Sequence, residues 1–129
     1  MDFPSEFNWV RECSKCSLSG AMFNLRETVD NDIKAFSGLS TNRQFEILDK
    51  GPQKFIVRHK DGTHDFPQAI VFETDSINNR ISIRAGTAIV LAVKPEIGPD
   101  GECWLKVDGK YLRFWQVSKE ALESLFFGP

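Results

Sequence analysis

Two cysteines stand two residues apart in Cys13-Ser14-Lys15-Cys16, and a third, Cys103, lies far down the chain. A thiol pair at this spacing runs disulfide exchange when it opens a helix, because the helix N-terminus lowers the thiol pKa. Here the pair falls late in a helical pattern, where the negative end of the dipole raises that pKa. The pair is also half of a metal site, but a structural zinc needs two further ligands. Cys103, His59 and His64 are the remaining soft candidates, and none lies at zinc-finger spacing. The plainer reading packs Cys13 into a helix face and leaves Cys16 near the helix end.

His59 and His64 share the segment His59-Lys60-Asp61-Gly62-Thr63-His64-Asp65. An aspartate there can orient an imidazole for general-base work. Turn chemistry produces the same composition, and no group beside it is identifiable as a nucleophile. Gly-rich phosphate loops, nucleophile elbows, metal-binding helix pairs and dinucleotide fingerprints are missing. No catalytic residue, metal site or cofactor is expected; a metal or redox role for Cys13, Cys16, His59 or His64 is the weakest of the functional readings.

A broader signal is basic. Lys54, Arg58, Lys60, Arg80, Arg84 and Lys106 alternate with apolar residues and so fall on one face of strands, with Trp104 among them. Such a face binds phosphates while a ring stacks on a base or head group. Lys54, Arg58, Arg84, Lys106 and Trp104 are therefore the candidates for nucleic acid or an anionic lipid. The competing reading is a solvated face, since Lys and Arg also discourage strand-edge pairing. Glu46, Glu73, Glu102 and Asp108 would share the face and dilute its charge, and the net charge is only −2.

These residues need elements to hold them. The chain of 129 residues is 41% apolar, with 11 Phe and 3 Trp, which is enough for one packed domain spanning residues 1–129. A first helix is expected from Ser5, as its N-cap, to Cys16, with Trp9, Cys13 and Cys16 on one face. Ser19 is expected to cap a second helix, with Leu18 stapled to Phe23. Met22, Leu25, Val29, Ile33 and Phe36 form its stripe, and Gly38 ends it with Leu39 folded back. The two helices form a hairpin.

About seven strands follow between Arg43 and Val117. Phe45, Ile47, Phe55, Val57, Ile70, Phe72, Ile81, Ile83, Ile89, Leu91, Val93, Leu105 and Val107 read as the core face. Asp108-Gly109 is the clearest hairpin turn. Two segments, Ala88 to Val93 and Tyr111 to Val117, are apolar on both faces and are expected to lie under the helices. A short helix capped by Ser118 closes the chain. The fold class is α+β: an N-terminal helix pair, antiparallel strands in a curved sheet or small barrel, and a C-terminal helix.

Leu125-Phe126-Phe127-Gly128-Pro129 is apolar for a chain end. The preceding helix stripe docks most of it and leaves Phe127 as the interface candidate. Met1-Asp2-Phe3-Pro4-Ser5-Glu6 lacks the basic and apolar regions of a signal peptide, and no run is long enough to span a membrane. The three cysteines are an odd count with one thiol left over, which suits a reducing compartment, most simply cytoplasm. The leading reading is a small soluble binding or adaptor domain that works through protein contacts, with a protein partner or a second copy of itself.

Overall fold

The stripe Met22, Leu25, Val29, Ile33 and Phe36 recurs at helical spacing, and in the computed structural model all five side chains are buried on one long helix. The structure describes residues 8–39, 43–60 and 69–128. Its helices are α1 (Trp9–Lys15), α2 (Leu18–Leu39) and α3 (Phe114–Phe127). Its strands are β1 (Phe45–Asp49), β2 (Lys54–His59), β3 (Ile70–Asp75), β4 (Arg80–Ala85), β5 (Ala88–Ile97), β6 (Cys103–Val107) and β7 (Lys110–Leu112).

The strands form one antiparallel meander in the order β1 to β7. Asp108 and Gly109 take φ of 49° and 81°, the left-handed pair that a two-residue hairpin requires, and Val107 pairs with Lys110 across them. Among the described residues β1 and β7 each pair on one side only, so the sheet is open rather than a barrel. One face carries Phe55, Val57, Phe72, Ile81, Ile83, Val93 and Leu105, each at most 2% exposed. Helix α2 lies against β1, β3 and β4, and α3 lies against α2 and β6. This is a two-layer α+β domain with its core between helices and sheet.

Several local expectations are corrected. Helix α1 is capped by Asn8, whose side chain accepts from the Arg11 backbone N–H at 3.0 Å; Ser5 lies outside the described residues. It buries no residue, and Trp9 and Cys13 are exposed rather than packed. Ser17, not Ser19, caps α2, accepting from the Gly20 N–H at 3.0 Å. Phe23 therefore points to solvent instead of stapling Leu18. Gly38 does not end α2, which runs through Leu39, and Leu39 is 87% exposed.

The two segments read as covered on both faces are not. In β5 a bulge breaks the register: Ile83 pairs with Leu91, but Arg84 pairs with Ile89, which leaves Val90 as the extra residue. One extra residue inverts every side chain beyond it, so Ile89 leaves the core face and stands 58% exposed. The segment from Tyr111 splits after three strand residues. Arg113 is extended, its backbone N–H donates to Gln116 Oε1 at 2.8 Å, and α3 starts at Phe114. That contact is one half of a capping box. Ser118 is consequently inside α3 and fully buried, not its cap.

The cysteines depart furthest from expectation. Cys16 at the end of α1 is disulfide-bonded to Cys103 at the start of β6, with the Cα atoms 5.3 Å apart. Cys13 is the thiol left over. Cys13 and Cys16 thus do not form a redox pair with one another. Among the described residues no helix is long and apolar enough to cross a membrane.

Candidate functional site

Helix α3 buries Val117, Ser118, Ala121, Leu122, Leu125 and Phe126, the inward side of a 3.6-residue period. Two polar contacts fix it. The buried Ser118 hydroxyl donates to Asp32 Oδ2 of α2 at 2.6 Å. At the other end the Arg43 guanidinium donates to the carbonyls of Phe126 and Gly128 at 3.0 and 2.8 Å. A cation there satisfies carbonyls that the helix leaves open and suits its negative end.

Between the C-terminal half of α2 and α3 runs an apolar groove of about 570 Å³. Ala35, Phe36 and Leu39 form one wall, and Trp115, Leu122 and Phe126 the other. Phe36 stacks on Phe126 with centroids 4.6 Å apart and meets Phe127 edge-on at 5.5 Å. Asp32 and Ser118, hydrogen-bonded to each other, also line the groove. Leu39, Trp115 and Phe127 stand 87%, 59% and 74% exposed around the rim, so the feature is an open groove. Lys119 and Glu123 lie along the lip, paired at 2.7 Å. The Glu123 carboxylate holds the Lys119 ammonium above its ordinary pKa by accepting its hydrogen bond.

The basic strand face is a set of ion pairs. Arg58 of β2 meets Glu46, its cross-strand partner on β1, at 3.1 Å. Arg84 meets Glu73 at 2.9 Å, Arg80 meets Asp75 at 3.2 Å, and Lys106 meets Glu96 at 3.5 Å. Lys54 sits opposite Glu73 in the register of β2 and β3. Opposite charges facing across strands are ordinary sheet stabilisation. Trp104 is engaged as well. Its indole N–H donates to Asp100 Oδ1 at 2.9 Å, and the Arg113 guanidinium lies 3.7 Å from the ring centroid. Arg113 itself donates to Glu102 at 2.7 Å. Gly98 leaves room for the ring, since a Cβ there would fall 2.5 Å from Trp104 Cδ1.

His59 is buried beside Phe45, ring centroids 4.7 Å apart, on the core side of β2. His64, Asp61 and Asp65 lie outside the described residues. Among the described residues no three His, Cys, Asp or Glu side chains are grouped to hold a metal ion.

Sequence reasoning singled out Phe127 but passed over Trp115 and Leu39, its neighbours at the groove. Residue type places Trp115 in a strand. Gln116, three residues after Arg113, accepts from the Arg113 backbone N–H and starts the helix there, which places Trp115 in its first turn. Comparison with protein-family models, with curated proteins and with solved structures finds no match.

Proposed function

We propose that this chain is a protein-binding module whose docking surface is the groove between α2 and α3. One observation carries the reading: three large apolar side chains, Leu39, Trp115 and Phe127, stay mostly exposed around a single apolar groove. Contiguous apolar surface of this kind marks an interaction site. An open trough beside two helices suits an amphipathic helix, whose apolar anchors lie along one face. A ring such as Trp115 is the residue type that dominates binding energy at such sites.

The test is selection of binders from a displayed library of amphipathic helical peptides. Trp115→Ala and Phe127→Ser are expected to weaken selected peptides by roughly tenfold or more each, with thermal unfolding unchanged. Peptides that ignore both substitutions, or a library that yields none, would overturn the reading.

Anion binding on the strand face has less support, because Arg58, Arg84 and Lys106 already hold carboxylates. The cytoplasm read from the cysteine count stands as a proposal beside these. In a reducing compartment the Cys16–Cys103 bond would be open.

A further inference from the structure

Trp115, Lys119, Glu123 and Phe127 follow one another at intervals of four along α3. Side chains four apart line up as a ridge on a helix. All four are exposed. The ridge is apolar at both ends and carries opposite charges between them. Lys119 and Glu123 are equidistant from Ala121, and so are Trp115 and Phe127.

We propose that the occupant of the groove is a second copy of this chain, with the two α3 helices antiparallel about a two-fold axis at the level of Ala121. This rests on the groove reading above and names its partner. A two-fold contact uses the same patch on both copies, so the patch must be its own complement. The ridge meets that condition. Reversing its direction sets Lys119 against Glu123 of the second copy, and Trp115 against Phe127 of the second copy, each twice. A parallel alignment would set like charge on like. The ridge spans about 18 Å at the rise of an α-helix, long enough for a continuous helix contact. The groove supplies the hollow beside the ridge, so the rim rings of one copy have apolar walls to enter on the other. Leu39 is covered by the same contact. An unrelated helical partner would need the apolar wall but not opposite charges at equal distances from a centre.

The experiment is sedimentation velocity over a concentration series, with circular dichroism to confirm folding. The unaltered chain is expected to dimerise. Lys119→Glu sets acid against acid, and Glu123→Lys sets base against base. Each alone is expected to weaken the dimer by roughly tenfold, since two symmetry-related pairs turn repulsive together. Mixing the two single variants restores complementarity and is expected to recover a heterodimer. The chain carrying both changes is expected to recover a homodimer. A chain that stays monomeric, or a dimer indifferent to the reversals, overturns the proposal, as does a mixture that fails to pair. The groove reading is judged separately. A monomer that still binds displayed helices through Trp115 sinks the dimer alone; a monomer that binds none sinks both.

Discussion

Cys103 ties α1 to the sheet twice. It is bonded to Cys16, and its backbone N–H donates to Glu12 Oε1 at 3.4 Å. Only Cys13 remains as a thiol and it is exposed. Thiol titration of the untreated protein is therefore expected to find one reactive group, lost in Cys13→Ser, and three after reduction and unfolding. Three without reductant would refute the bond. The bridge closes a sequence separation of 87 residues, and cross-linking a loop that long restricts the unfolded chain strongly. Reduction is expected to lower unfolding free energy by about 2–5 kcal/mol. No spacing rule pairs Cys16 with Cys103, since cysteines far apart in sequence meet only through the fold. The odd count predicts one thiol left over, and the fold decides that it is Cys13.

At the scale of elements, α2 and the β6–β7 hairpin separate two kinds of stabilisation. Leu25 is wholly buried in the stripe of α2. Leu25→Ala is expected to cost roughly 3–5 kcal/mol in urea unfolding through the cavity it opens. Gly109 has open space where a Cβ would go, but its φ is +81°. Gly109→Ala is expected to cost about 1 kcal/mol from backbone strain alone. A larger loss at Gly109 than at Leu25 would contradict this division. Both elements were legible in the sequence, because a 3.6-residue stripe and an Asp-Gly turn are local signals. The start of α3 was not. Tyr111, Phe114 and Trp115 suit a strand by residue type, whereas the Arg113 N–H bond to Gln116 and the Val117 N–H bond to the Arg113 carbonyl open a helix there. Nor was the β5 bulge legible, since register depends on the strand alongside.

For the whole molecule, surface charge stabilises the fold in a pH-dependent way. Arg26 lowers the pKa of Asp49 by donating hydrogen bonds to it, Asn78 that of Asp75, and the Trp104 indole that of Asp100. A carboxylate depressed by folding contributes stability above its unfolded pKa, about 3.9, and loses it as pH falls through the folded value. The urea midpoint is therefore expected to fall below about pH 4 as these carboxylates protonate. A midpoint that rises on acidification would show the sign to be wrong. The basic residues fall on the outer strand face, as the alternation predicts. What they meet there was out of reach, because Arg84 and Glu73 become neighbours only through the pairing of β3 with β4.

The α+β class, the α2 stripe, the inward and outward strand faces and most of the turns are legible in the residue order alone. These follow from periods of 3.6 and 2 and from turn chemistry, which act within a few residues. The open sheet, the Cys16–Cys103 bond, the charge pairing and the groove arise from long-range packing. Leu39 and Trp115 stand 76 residues apart in the chain. They border one groove only because α2 and α3 pack side by side on the sheet, and an exposed patch is defined by what the rest of the fold fails to cover.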